Sequence, residues 1–275
     1  MSFKVWGIEC NESVSDKDKD YLLNLPKDLP SMQWVWDEEN RIWDLLGLNN
    51  KKPLLEQDIG SYYSHPVWIM NGLFSEADPL SKRHHIDIIK FIDENNIKKI
   101  ADYGGGSGVF AFFLVSQNSS IEVDIVEPYA SEFFKEKMLP YTTANFVNDF
   151  TCNNYDAVIT QSVLEHVENP IETAFKMASN VREGGLVIFA DCYYPVIKCH
   201  LPSAFYLRHT FKFIMKKMGL DFVGRIPNAE HALIFRKKQY LDLDAALSHL
   251  KIIKFIGGLL NIIWPFASKA KHIFR

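Results

Sequence analysis

Asp102 stands two residues ahead of a glycine cluster, Gly104, Gly105, Gly106 and Gly108, in "ADYGGGSGVF". Glycine admits left-handed backbone and lets a ligand come where a Cβ would otherwise stand. The apolar run "IKKIADY" (97–103) leads into the cluster and a helix-like run leaves it. An open α/β sheet offers a ligand this combination of strand end and helix N-terminus. A dinucleotide pattern G-x-G-x-x-[GA] can be laid on Gly106, Gly108 and Ala111 only by starting two residues late, and it gives Asp102 no role. A carboxylate at that strand tip repels a pyrophosphate and attracts a cation.

Two further acids close apolar runs. Glu127 ends "IEVDIVE" (121–127), about 20 residues past the glycines, the spacing at which a carboxylate grips ribose hydroxyls. NAD sites share that spacing, so it indicates a nucleoside without choosing one. Asp149 ends the weaker run "NFVND" (145–149), where a side chain can meet an adenine amino group. S-adenosylmethionine (SAM) carries an ammonium group and a sulfonium but no phosphate, and so satisfies Asp102 as well as Glu127.

Candidates for proton transfer lie beyond the fourth and fifth runs. Glu165 and His166 sit in "LEHVENP", Asp191 closes "GLVIFAD" (185–191), and His65 lies in "SHPVWIMNGLF" within the N-terminal region. Histidine suits removal of a hydroxyl proton near neutral pH, which makes His166 the leading candidate base; the alternative is a loop-bracing role. His85 shares a helix face with Ile88 and Ile92 and reads as core. Cys10, Cys152, Cys192 and Cys199 are scattered, without C-x-x-C or paired Cys/His spacing, and Cys199-His200 has no second pair. No metal is expected on that basis.

These residues require a scaffold of strands alternating with helices. "YDAVIT" (155–160) joins the runs above, and "VFAFFLVSQ", "ASEFFKEKML" and "PIETAFKMASNV" fall between them. After a helix near 203–218, "DFVGRIP" and "HALIFRK" (231–237) form an antiparallel edge pair. The expected fold is α/β, a Rossmann-like, mostly parallel seven-stranded sheet with helices on both faces. An N-terminal helical cap and a C-terminal amphipathic helix complete it. The expected divisions are an aromatic-rich cap (1–78), a core (79–240) and a basic tail (241–275), with Asp78-Pro79 as cap and first turn of the helix that enters the core.

At this point "ADYGGGSG" resembles the first motif, D-x-G-x-G-x-G, of class I SAM-dependent methyltransferases. "VDIVEP", "YDAVITQSVLEHVENP" and "VREGGLVIFAD" are similar to that family's later motifs, so the likeness covers 97–192 and continues weakly to 237. The resemblance implies SAM as cofactor, with Gly104 and Gly106 close to it and Asp102 at its methionine portion. It further implies Glu127 on the ribose, Asp149 with Phe150 at the adenine, and Gln161 on the methyl side. Tyr103 departs from the small aliphatic residue common there.

The net charge of −4 and pI near 6.1 supply no basic field for nucleic acid, and "TQSV" stands where a nucleic-acid methylase would carry N/D-P-P-[YFW]. The N-terminus lacks a signal-peptide apolar region, and no run of about 18 apolar residues suggests a span. In 251–275, Lys251, Lys254, Gly258 and Asn261 follow at helical steps, opposite Ile252, Ile256, Leu259, Ile263 and Phe266, and the stretch holds five basic residues (Lys251, Lys254, Lys269, Lys271 and Arg275), no acid, and Trp264. That pattern reads as an interfacial helix for an anionic membrane, or else as a helix docked on the chain's own core or on a second subunit. The aromatic stretch 62–74 is the expected acceptor-facing segment. A cytoplasmic enzyme, peripheral on the inner face of a membrane, is therefore expected to O-methylate a hydroxyl of a sugar, lipid-linked glycan or other membrane-associated small molecule. The alternatives are a quinone-precursor methyltransferase and a SAM- or NAD-binding regulatory protein without turnover.

Overall fold

The computed structural model describes residues 2–273 apart from Glu12, with side chains as far as Ile263. The expected tail contributions of Trp264, Phe266, Lys269, Lys271 and Arg275 lie outside the described side chains. The chain opens with a hairpin, β1 (Phe3–Val5) and β2 (Ile8–Cys10), whose two-residue loop places Trp6 and Gly7 at positive φ. Both central residues of a type I′ turn adopt this conformation. Four helices follow: α1 (Asp16–Leu23), α2 (Met32–Leu45), α3 (Glu56–Tyr63) and α4 (Pro66–Ala77). The Asp78 carboxylate then accepts from Ser81 N–H at 2.8 Å and starts α5 (Pro79–Glu94), as the Asp-Pro pair foretells.

From there strands and helices alternate: β3 (Lys99–Tyr103), α6 (Val109–Gln117), β4 (Glu122–Val126), α7 (Glu132–Met138) and β5 (Ala144–Val147). Next come β6 (Tyr155–Gln161), α8 (Pro170–Ser179), β7 (Val181–Ala190), α9 (Leu207–Met218), β8 (Leu220–Ile226) and β9 (Ala229–Lys237). The seven strands lie in the order β5-β4-β3-β6-β7-β9-β8. The first five are parallel, and β9 runs antiparallel to both β7 and β8. The expected Rossmann-like sheet with an antiparallel edge pair is therefore present.

Strands buried on both faces read as nearly continuous apolar runs; in β6, Ala157, Val158, Ile159 and Thr160 are all fully buried. One face is covered by Ile88, Ile89 and Ile92 of α5 with Phe110 and Leu114 of α6. The other is covered by Ile171 and Met177 of α8 with Phe211, Ile214 and Met218 of α9. The chain moves outward from β3 through β4 to β5, then returns to β6 beside β3. The crevice between the β3 and β6 tips is the switch point at which such sheets take ligands.

The cap has its own core of Trp43, Tyr62, Met70, Leu73 and Phe74, which continues into Phe133 and Phe134 of α7 and into Cys199. A Cβ on Gly72 of α4 would lie 2.4 Å from Ser107 Cβ and 2.6 Å from Phe134 Cζ. Only a glycine lets this helix rest on the glycine loop. After β9, α10 (Leu243–Leu247) leads to α11 (Leu250–Ile273). This last helix docks by a narrow face: Ile253 is buried, Gly257 lies against Tyr206, and Asn261 Nδ2 donates to Phe205 O at 2.9 Å. Asn261, which helical periodicity places on the side of Lys251 and Lys254, is thus a docking residue. Ile252, Phe255, Ile256, Leu259, Ile262 and Ile263 remain exposed.

Candidate active site

The glycine cluster is a loop wrapped around a carboxylate. Gly104, Gly106 and Gly108 have φ of +68°, +55° and +70°, a region that side chains disfavour. A Cβ on Gly105 would stand 2.6 Å from Asp102 Oδ2, and one on Gly104 would stand 2.4 Å from Val163 Cγ2. At Gly106 nothing lies within 4 Å of that position, because this glycine faces the cavity. Gly106 N–H donates to Glu127 Oε2 at 3.1 Å, and Tyr129 N–H donates to Glu127 Oε1 at 2.9 Å. The second acid is thereby tied to the loop that surrounds the first.

Asp102 is 1% exposed, and its Oδ2 has no hydrogen-bond partner among the described residues. Burial, reinforced by the nearby Glu127, pushes its carboxyl up to about 7. An unpaired buried carboxylate is costly, and a ligand ammonium would relieve that cost. The surrounding cavity, about 1360 Å³, is lined by Asp102, Gly104, Gly106, Glu127, Asp149 and Gln161. It exceeds the roughly 300–1,000 Å³ of a single small-molecule site, which leaves room for more than one small molecule.

At the far end Asp149 is exposed, and Lys176 of α8 pairs with it at 2.8 Å. That contact holds its carboxyl below the ordinary value. Phe150 is not among the residues lining the cavity; it stacks on Tyr103 at 5.4 Å and 15° between planes. Tyr103 does line the cavity, so the departure from a small residue builds a wall, supported from behind by Phe150. Sequence reasoning missed both Tyr103 and Lys176.

The acid–base candidates divide. His166 stands in the cavity wall, while Glu165 and Asp191 lie outside the lining. Asp191 Oδ1 accepts from Val163 N–H at 2.9 Å and Leu164 N–H at 3.1 Å, and Glu165 Oε1 accepts from Cys192 N–H at 2.9 Å. The pair braces the loops after β6 and β7. Burial and the adjacent Asp191 raise Glu165 well above the carboxylate range, and burial pushes Asp191 up to about 6. His166 Nδ1 lies 3.2 Å from Cys199 O. A carbonyl only accepts, so Nδ1 carries the proton and Nε2 keeps its lone pair. Burial lowers this imidazole to about 3, leaving it neutral and weakly basic. His65 also lines the cavity, but its Nδ1 accepts from Val67 N–H at 3.0 Å and caps α4. His85 lines the cavity as well, against Phe110 and Phe113, with Nε2 3.2 Å from Ser75 Oγ.

Three further wall residues come from the cap and from the loop after β7. Glu39 of α2 is 1% exposed, Asn71 Nδ2 donates to its Oε1 at 2.6 Å, and burial pushes it up to about 7. Tyr63 lies between Tyr129 and His166, at ring separations of 6.2 and 6.3 Å. His200 meets His166 edge-on at 4.8 Å. No signal marked Glu39, because "DEEN" reads as a solvated helix face.

A glycine-wrapped acid at the switch point and acids at the next two strand tips define a class I SAM-dependent methyltransferase fold. A family described as a methyltransferase domain matches residues 82–240, and the chain belongs to it. The match begins within α5 and ends past β9, wider than the motifs alone. Ubiquinone biosynthesis O-methyltransferases from two strains of Rickettsia bellii are 28% identical over 141 residues, 46% of this chain and 57% of theirs. The match therefore spans little more than half the length of those relatives. Among solved structures, an O-methyltransferase family protein from Burkholderia thailandensis has a TM-score of 0.54 at 13% identity, over 75% of this chain and 70% of that one. Human N-acetylserotonin methyltransferase in complex with SAM has a TM-score of 0.51 at 14% identity, over 74% of this chain and 65% of that one. The family, fold and cofactor class read from the motifs are thus met.

Asp102 makes a checkable statement about stability. Its folded value near 7 exceeds the unfolded value of about 3.9, so its contribution is complete below the unfolded value and is lost as pH rises through the folded one. Asp102→Asn should therefore gain stability over the native chain on the order of 3 kcal/mol at pH 8 compared with pH 4.5. Urea unfolding of ligand-free protein at the two pH values measures this difference.

Proposed function

We propose that this chain transfers a methyl group from SAM to a hydroxyl of a small, membrane-associated acceptor. The observation that carries the reading is the buried, unpartnered Asp102 carboxylate inside the glycine loop. When bound, SAM supplies a methyl group activated by its sulfonium. Asp102 would hold the ammonium, Glu127 the ribose hydroxyls, and Asp149 with Tyr103 the adenine. Tyr63 and Trp68 of the cap exclude water and orient the acceptor in line. Proton removal falls to Glu39, whose value of about 7 lies near working pH, as an efficient general base requires. His166, lowered to about 3, is the poorer base.

A ring hydroxyl of a quinone precursor is the second reading, favoured by the Rickettsia relatives' names and by the aromatic cap. A sugar or lipid-linked glycan is the alternative acceptor. SAM should raise the melting temperature while NAD and NADP do not, since ligands stabilise the state that binds them. Labelled methyl groups should then appear in an extractable lipid or phenolic fraction of a membrane extract. Glu39→Gln should lower that transfer roughly 10²-fold with SAM affinity preserved. A thermal shift with NADH alone would contradict the reading.

Membrane association is part of the same proposal. No described helix is long and apolar enough to cross a membrane, so attachment would be interfacial. The exposed apolar residues of α11 support it, as do Lys251 and Lys254, and exposed Lys212, Lys216 and Lys217 on the adjoining α9. Anionic vesicles should co-sediment with the protein more strongly than neutral ones, less so at high salt. Phe255→Glu combined with Ile262→Glu should abolish this without changing the melting temperature, because both side chains are exposed. Indifference of the native chain to anionic vesicles would refute the membrane proposal.

A further inference from the structure

We propose that Glu165, His166 and His200 form a binding site for a divalent transition-metal ion of zinc's class, opening onto the acceptor side of the cavity. One ligating atom from each of the three side chains lies within 4.8 Å of the others. Metal–nitrogen bonds near 2.1 Å bring such donors somewhat closer than that, within reach of small side-chain rotations.

The tautomers suit a metal. His166 Nδ1 is 3.2 Å from Cys199 O, and His200 Nδ1 is 2.6 Å from Tyr194 O. Each Nδ1–H therefore donates to a carbonyl and each Nε2 keeps its lone pair. Imidazole ligands are commonly held in this way, the second nitrogen donating to a backbone carbonyl that fixes ring and tautomer. The carboxylate adds an independent indication. Glu165 is fully buried, Oε1 is engaged by Cys192 N–H, and Oε2 has no donor; the neighbouring Asp191 likewise leaves Oδ2 without one. The two adjacent buried carboxyls can share a proton, and a cation held by Glu165 with the two imidazoles would take that proton's place.

Two nitrogens and one carboxylate oxygen suit zinc, iron(II) or manganese(II) better than magnesium, and three protein ligands leave positions open. His166 and His200 line the cavity and Glu165 does not, so the open positions face the acceptor. An acceptor hydroxyl could be aligned there, a role that rests on the methyltransferase reading; metal binding itself does not. Sequence spacing concealed the group, because Glu165 and His166 are adjacent whereas His200 arrives only on the loop after β7.

The test uses full-length protein, stripped with a chelator and titrated with Co²⁺ in the absence of SAM and acceptor, so its outcome is separable from that of the methyltransferase reading. One equivalent should bind, with visible d–d bands that Zn²⁺ displaces, and the melting temperature should rise. His200→Asn keeps a donor for Tyr194 O and Glu165→Gln keeps an acceptor for Cys192 N–H. Each should weaken binding by more than about tenfold, whereas His249→Ala, at an exposed position, should not. Absence of saturable Co²⁺ binding by the native chain, or binding unchanged in both site variants, would overturn the proposal.

Discussion

A buried carboxylate at the cavity wall, with one oxygen left without a hydrogen-bond partner among the described residues, is the constraint around which this molecule is built. Asp102 is placed at the tip of β3 by a strand buried on both faces. The glycine loop then closes so tightly that a side chain at Gly105 would collide with it. The same loop engages Glu127 through the Gly106 N–H. One backbone segment thus sets the positions of both acids, and their mutual repulsion contributes to raising Asp102. Ligand-free protein carries this as a local cost of burial, which a cation at the switch point would relieve.

The cap and the loops after β6 and β7 close the other side of the cavity. Gly72 allows α4 to lie on Ser107 of the glycine loop, so the cap and that loop share an interface. The Glu165–Asp191 pair ties the loop after β6 to the one after β7 through backbone N–H groups. Two buried acids repel when both are ionised, which raises Glu165; their backbone contacts hold the loops that carry His166 and His200 on the wall. The shape of this side of the cavity therefore depends on contacts among segments far apart in sequence.

This division explains what could be read from residues alone. The β3–β4–β5 acids, the glycine loop and the Asp78 cap are local patterns whose meaning follows from strand ends and helix starts. The antiparallel edge pair was visible because only a short turn separates its two runs. Glu39 was not, since its burial arises when α2 packs beneath α4, and a charged helix face carries no sign of that. His65 looked chemical and is a helix cap, because the lone pair of its Nδ1 is engaged by Val67 N–H. The resemblance implied Phe150 with Asp149 at the adenine, whereas its ring stacks behind Tyr103, which takes the wall position. In the tail, helical periodicity separated an apolar from a polar side, but the helix docks by a third, narrow face at Ile253 and Gly257, which takes Asn261 from the polar side.

Proton release on SAM binding tests the account most directly. Asp102 lies near 7 in the free protein and must ionise fully to pair with an ammonium. Calorimetric titrations at about pH 6, in buffers of different ionisation enthalpy, count the protons that leave on binding. The account predicts that the native chain releases close to one proton more per bound SAM than Asp102→Asn, which should also bind more weakly. Equal proton counts and equal affinities in the two proteins would show that this carboxylate does not receive the cation.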